Sequence, residues 1–316
     1  MSEDTSKNEY QVVMIGAGPA ALAAAVYTTR EDLKTALIEK GVIGGLAAIT
    51  DLVENYPGFS GGIKGMELAE ELRKQAEKFG AEIHLGEVTN IKEGEGKRIV
   101  ETTEGNYFAD AVLIATGSDY MKTGVPGEEE YYGRGVHYCA TCDGAFYRDK
   151  NIAVIGGGNS AAQEAIYLTR FTKHIDILIR KDFWKASDVL VEEIAKLEKE
   201  GKITVNFNVE SKEFVGKDGN IVAVKARNSK DDKDVKYDVD GVFVFVGLRP
   251  NTEFLKSPEI ELDEHGFVKT NLDLQTSMKG VFCAGDVRSG ATMQIASAVG
   301  EGATAALKIR EFIEGK

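Results

Sequence analysis

The sequence predicts an α/β protein of two three-layer domains, the second inserted into the first. Three observations carry that prediction. An apolar strand runs into a glycine-rich turn and an alanine-rich helix near Gly16, the same unit recurs at Gly156, and the last strand begins no third unit. A chain of 316 residues also exceeds what one core comfortably holds.

The first unit opens with the strand at 10–15, the turn Gly16-Ala17-Gly18-Pro19-Ala20-Ala21 and a helix over 22–30. The second has a strand at 151–155, the turn Gly156-Gly157-Gly158-Asn159-Ser160-Ala161 and a helix over 162–169. In such turns glycine allows a tight bend and close backbone approach, and the small final residue lets helix pack on strand. The free N–H groups of the helix N-terminus then suit a pyrophosphate. Two such turns in matching context predict Rossmann-like, dinucleotide-binding domains. Each half then shows a β-rich stretch, 99–103 against 106–109 and 221–227 against 235–239, and a buried-type strand ending in glycine, 109–117 and 239–247. A strand at 281–283 ending in Ala284-Gly285-Asp286, and a helix over 295–313, return to the first domain. The expected boundaries are 1–118 with 247–316 for the first domain and 119–246 for the inserted one.

Composition narrows the function. Hydrophobic residues at 43% and charged residues at 28% exclude a disordered chain, and 35 glycines against 5 prolines suit many strand-to-helix turns. Acids outnumber bases 51 to 38, a net charge of -13, which argues against nucleic-acid binding. Residues 1–9 are polar and acidic, unlike a signal peptide, and no apolar run approaches the roughly 20 residues of a membrane span. Three cysteines make no disulfide scaffold. The expectation is a cytoplasmic protein whose partners are proteins or small molecules.

The chemistry concentrates in Cys139-Ala140-Thr141-Cys142-Asp143-Gly144, two thiols one helical turn apart just before the second glycine turn. A C-x-x-C pair alone is a redox dithiol, half of a zinc site or buried sulfur. A zinc site using His137 lacks a fourth ligand, because Cys283 lies in a distant strand where a small hydrophobe is expected, so no metal is predicted.

In the order and content of Gly16 to Ala21, Glu54-Asn55-Tyr56-Pro57-Gly58, Ala115-Thr116-Gly117, Cys139 to Gly144, Gly156 to Ala161 and Ala284-Gly285-Asp286, the chain resembles the low-molecular-weight thioredoxin reductases. These are two-domain flavoprotein disulfide reductases, and the match runs from about Tyr10 to about Phe312. The resemblance implies a homodimer with FAD in the first domain and a pyridine nucleotide in the inserted one. Electrons would pass through the dithiol to thioredoxin or a thioredoxin-like protein. Cys142 would face the flavin, Cys139 would form the mixed disulfide with the partner, and Asp143 would move a proton. The family places the inserted domain on a hinge, so that its rotation exposes the dithiol.

The residues that the resemblance assigns to FAD begin with Gly16, Gly18, Pro19 and Ala20, and with Glu39 as the acid for the ribose. Gly44, Gly45, Leu46, Asn55 and Val88 follow, then Ala115, Thr116 and Gly117, and finally Gly285, Asp286, Gln294 and Ile295. For the pyridine nucleotide they are Gly156, Gly158, Asn159 and Ser160, with Arg180, Lys181 and Lys185 suited to a 2′-phosphate. Here the chain departs from the family. The usual His-Arg-Arg with a later Arg reads Ile179-Arg180-Lys181 with Lys185, the usual Gly-Gly-Gln reads Gly44-Gly45-Leu46, and Met293 replaces an Arg. Two guanidinium forks have become point charges. NADPH remains the expected donor despite this weaker grip on a phosphate, with NADH as the alternative. A flavin dithiol oxidase, or a reductase fed by a protein such as ferredoxin, is the competing function.

Overall fold

A computed structural model describes residues 8–50, 52–53, 55–256 and 259–315. Glu54 of the Glu54-Asn55 motif, and residues 1–7 of the segment read for a targeting signal, lie outside the described residues. The chain folds as two compact units, 1–119 with 249–316 and the contiguous segment 120–248 between them.

In the first unit β1 (Glu9–Ile15) leads into α1 (Pro19–Arg30), β2 (Thr35–Glu39), α2 (Gly45–Ala48), α3 (Gly65–Lys78), β3 (Glu82–Leu85), β4 (Val88–Glu93), β5 (Arg98–Thr102) and β6 (Gly105–Ile114), and β7 (Ser118–Tyr120) leaves it. In the second unit β8 (Val136–His137) and α4 (Ala140–Asp143) precede a 3-10 turn at Gly144–Tyr147. There follow β9 (Asn151–Ile155), α5 (Asn159–Leu168), β10 (His174–Ile179), α6 (Asp188–Lys199), β11 (Ile203–Phe207), β12 (Val209–Lys217), β13 (Asn220–Asn228), β14 (Lys233–Asp238) and β15 (Gly241–Val244). The chain re-enters the first unit through β16 (Leu248–Pro250) and ends with β17 (Val281–Cys283) and α7 (Ile295–Glu314). The two crossing strands, β7 and β16, pair with each other.

The period of two in a strand decides the layering. Val12 and Met14 of β1 join the core with α1 and α7, whereas Val13 and Ile15 join the opposite core with Ile91, Val100 and Val281. β9 repeats this, with Ile152 and Val154 on the α5 and α6 side and Ala153 and Ile155 against Phe214 and Val224 of the antiparallel sheet β12-β13-β14. Each central sheet is thus buried on both faces, which is why its strands read as continuous apolar runs. The two sheets share one parallel order: β3-β2-β1-β6 with β17 beyond β6, and β11-β10-β9-β15-β8.

The structure corrects some sequence-level boundaries. The segments read separately as 106–109 and 109–117 form the single strand β6, whose first half pairs antiparallel with β5 and whose last residues pair parallel with β17. Two different partners along one strand leave no break in its apolar pattern. Both glycine-turn helices start earlier than read, at Pro19 and Asn159, because Gly18 and Gly158 are extended N-caps that let the helix begin at the next residue. Among the described residues, no helix is long and apolar enough to cross a membrane.

Candidate active site and nucleotide loops

In the first unit, sequence-distant residues converge at the C-terminal end of the parallel sheet. Gly16 leaves β1 at φ +99°, and a Cβ there would stand 2.5 Å from the Ala115 carbonyl oxygen, so only glycine fits. Glu39 ends β2 and accepts from the backbone N–H groups of Ala17 and Gly41, both at 2.7 Å. Gly44 donates its N–H to the Ala17 carbonyl at 2.7 Å, which sets the Gly44-Gly45-Leu46 turn against Ala17-Gly18. Thr116 and Asn251 clamp one another, Thr116 Oγ1 donating to the Asn251 carbonyl at 2.8 Å and Asn251 Nδ2 to the Thr116 carbonyl at 3.0 Å. Gly117, at φ +69°, accepts from the Asn251 N–H at 3.0 Å.

Gly16, Glu39, Val88 and Thr116 line one cavity of about 290 Å³. Sequence reasoning missed several of its other lining residues, Lys40, Thr89, Asn251 and Lys256 among them. Asn251 follows the Leu248-Arg249-Pro250 crossing and had no motif of its own. Its signal is structural, since it meets Thr116, 135 positions earlier, only in the folded chain.

Further along the sheet edge, Asn55 Nδ2 donates to Gln294 Oε1 at 3.1 Å, joining two predicted residues 239 positions apart. Gln294 is the N-cap of α7 and Ile295 its first residue. Gly285, at φ +77°, donates to Glu301 Oε2 at 2.8 Å, and Arg288 pairs with the same carboxylate at 2.5 Å. Ala20 packs against both Gly285 and Gly302, so α7 lies close on α1. Burial, reinforced by the negative Glu301, pushes Asp286 up to about 6.

In the second unit, Gly156 turns at φ +146°, where a Cβ would collide with the Phe245 carbonyl. Gly158 caps α5, which begins with Asn159 and Ser160. Asn159 Oδ1 accepts from Ser187 N–H at 2.8 Å, and the Gly157 carbonyl accepts from Lys185 N–H at 2.7 Å. This brings the Lys185 segment to the glycine turn. Arg180 and Lys181 are exposed just beyond β10, and the Lys181 carbonyl accepts from Asn208 N–H at 3.0 Å.

On the other edge of that sheet, Cys139 and Cys142 form a disulfide with Cα atoms 5.3 Å apart. The two sulfurs are therefore bonded to each other rather than held as free thiols. Cys139 is the N-cap of α4, and its Sγ accepts from Cys142 N–H at 3.2 Å. Thr141 Oγ1 lies 3.4 Å from the same sulfur. Glu128 is 1% exposed and accepts from Thr123 N–H, Thr123 Oγ1, Gly124 N–H and Tyr138 Oη. This fixes the residue preceding Cys139. Asp143 closes α4 and stands 3.3 Å from His137 Nδ1. Cys283 is fully buried in β17, where burial raises its thiol well above the ordinary range.

Two dinucleotide-type units and a C-x-x-C disulfide define the class of protein, and the family described as pyridine nucleotide-disulphide oxidoreductase matches residues 10–302. The thioredoxin reductase of Bacillus subtilis (strain 168) is 40% identical over 305 residues, 96% of this chain and 95% of its own length. The crystal structure of thioredoxin reductase from Streptococcus pyogenes MGAS5005 superposes with a TM-score of 0.91 at 39% identity, covering 98% of this chain and 99% of that one. Thioredoxin reductase from Giardia duodenalis also scores 0.91, at 32% identity over 97% of this chain and 99% of that one. The chain belongs to the pyridine nucleotide-disulphide oxidoreductase family and, within it, to the thioredoxin reductases.

Proposed function

We infer that the protein is an FAD-dependent thioredoxin-disulfide reductase that takes electrons from NADPH and passes them through Cys139 and Cys142 to thioredoxin. The single observation that carries this reading is the Cys139–Cys142 disulfide, set at the N-terminus of α4 in the unit that holds the second glycine turn.

The first unit fits FAD. Its cavity is lined by a glycine too close to Ala115 to carry a Cβ and by Glu39, whose oxygens each keep a lone pair after accepting one backbone N–H. Gly16, Gly18, Pro19 and Ala20 would hold the pyrophosphate at the N-terminus of α1, Glu39 and Val88 the adenosine end, and Ala115 to Gly117 the turn beside it. Gly44 to Leu46, Asn55, Gly285, Asp286, Gln294 and Ile295 would hold the flavin end. Bound flavin supplies the conversion of a hydride into the electron pair that reduces the disulfide.

Gly156, Gly158, Asn159 and Ser160 would bind the pyridine nucleotide, with Arg180, Lys181 and Lys185 gripping a 2′-phosphate as point charges. At the dithiol, Cys139 would attack the partner disulfide, Cys142 would resolve the mixed disulfide, and Asp143 would move the proton. The same reading makes the protein a cytoplasmic homodimer with no nucleic-acid or membrane partner, in keeping with its net charge of -13.

Anaerobic mixing of the purified flavoprotein with NADPH or NADH, followed by flavin bleaching, tests the donor. Bleaching by NADPH at lower concentration than by NADH is expected. No bleaching by either nucleotide would overturn the NADPH step and leave a protein donor or an oxidase. Absence of disulfide reduction in thioredoxin would overturn the reading itself.

A further inference from the structure

Behind Asp143 lies a buried pair whose chemistry the proposed reaction leaves unused. His137 ends β8 with its side chain 7% exposed, whereas that of Asp143 is 23% exposed. The imidazole stacks on Phe243 at 5.2 Å and meets Tyr147 edge-on at 5.3 Å. Nε2 makes a hydrogen bond with Tyr147 Oη at 2.7 Å, while Nδ1 stands 3.3 Å from Asp143 Oδ2, a close charge contact rather than an aligned hydrogen bond. A carboxylate oxygen beside Nδ1 suits an N–H there, and the Nε2 contact then suits acceptance from the Tyr147 hydroxyl. Burial, with Asp143 and Asp240 nearby, raises the Tyr147 phenol above its ordinary value, so that hydroxyl keeps its proton. A chain of groups therefore runs from the protein interior to the carboxylate that follows Cys142.

We propose that His137, braced by Tyr147, is a positioning residue for Asp143, holding its carboxylate in place for the proton transfer that accompanies disulfide exchange. The proposal rests on the thioredoxin-reductase reading. In the exchange the reduced pair gives two electrons and two protons to the partner disulfide. Cys139 sulfur bonds to one partner sulfur as the partner S–S bond breaks; Cys142 sulfur then bonds to Cys139 sulfur and releases the partner. Both partner sulfurs leave protonated. Asp143 carries a proton from an enzyme thiol to a departing partner sulfur and ends unchanged, and His137 is not consumed. The arrangement uses the logic of a buried group that fixes the orientation of a catalytic one, with imidazole holding carboxylate. The charged and titratable groups around it are Asp143 and Tyr147 in direct contact, Lys150 over the Tyr147 ring at 5.4 Å, and Asp240 and Tyr132 acting through Tyr147 and Asp143.

The test compares His137→Phe, His137→Asn, Asp143→Asn and the double variant H137F/D143N. Phenylalanine keeps the stacking on Phe243 and removes both nitrogens; asparagine restores an N–H donor near the Nδ1 position. Two quantities are measured between about pH 6 and 9, which spans the ordinary titration of a cysteine thiol at about 8.5. One is turnover with oxidised thioredoxin. The other is the rate at which iodoacetamide alkylates the dithiol after reduction by dithiothreitol, which needs neither nucleotide nor thioredoxin. H137F is expected to lower turnover about tenfold and to shift the pH midpoint of alkylation, and H137N to stay within about threefold of the native protein. The double variant is expected to be no slower than D143N alone, because the two residues act as a unit. An unchanged H137F profile, multiplying losses in the double variant, or H137N as impaired as H137F would each overturn the proposal. Should H137F not fold, Tyr147→Phe serves in its place, with a smaller shift expected and an unchanged profile overturning. If the native protein fails to reduce thioredoxin, the functional reading falls while the alkylation profiles still decide this one.

Discussion

The two units place their sheets in the same parallel order, yet they fill the outermost position from opposite directions along the chain. In the first unit that strand is β17, reached only after the insertion; in the second it is β8, which precedes β9. Just beyond β17 come Gly285 and Asp286, and just beyond β8 come Cys139 and Asp143. One sheet position thus carries a buried carboxylate in one unit and a disulfide with its neighbouring carboxylate in the other. A repeated scaffold fixes where chemistry is held, and the residues after the last strand decide which chemistry it is.

The largest effect that would sharpen this contrast is expected from Cys142→Ser. Reduction of thioredoxin should fall by more than about a thousandfold, while flavin bleaching by NADPH survives, and a stable mixed disulfide through Cys139 should be isolable. Retained turnover would break the assignment of the disulfide chemistry to Cys139 and Cys142. The two glycine turns offer the next comparison. Gly16→Ala and Gly156→Ala each force a Cβ onto a carbonyl at positive φ, at a cost of roughly 1–3 kcal/mol. G16A should purify depleted in flavin, judged by visible absorbance, whereas G156A should keep flavin and raise the KM for nucleotide. If both lost flavin equally, the division of labour between the turns would be wrong.

Much of this contrast is legible in the sequence, because glycine turns and cysteine pairs are local. The residues at 16–21 and 156–161 specify their turns within a few positions, and β1 and β9 are apolar on both faces. Contacts that span the insertion are not legible in that way. Asn251 on Thr116 and Gln294 on Asn55 depend on chain closure. His137 was visible only as a rejected zinc ligand, since its partners Tyr147 and Phe243 reach it through the 3-10 turn and β15.

A smaller effect is expected from Glu128→Ala, which leaves the Thr123 and Gly124 N–H groups and the Tyr138 hydroxyl without their buried acceptor. Urea unfolding should show a loss of about 2–4 kcal/mol in the transition that reports the second unit. An unchanged midpoint would mean that water substitutes for the carboxylate. Smaller still is Asp286→Asn in the flavin-stripped protein. Asp286 titrates near 6 when folded, above its ordinary 3.8, so its charge costs stability progressively as pH rises through that window. Removing the charge should raise Tm by a few degrees above pH 6 and leave it unchanged below about pH 4. The same gain at both pH values would show that desolvation of the charge is not the cause.

The interleaving of the units also orders events during synthesis. Ala20 and Leu22 of α1 share a core with Phe282, Ala305 and Ile309, so the earliest helix waits on the latest one for its apolar partners. The second unit is contiguous and is complete when Leu248 has been made. On a ribosome adding residues at about 5–20 per second, the dithiol unit can close several seconds before the unit that begins the chain. A nascent chain whose Leu248 has just cleared the ribosome would therefore carry a finished dithiol unit beside an open, alanine-lined helix, the state most in need of a chaperone.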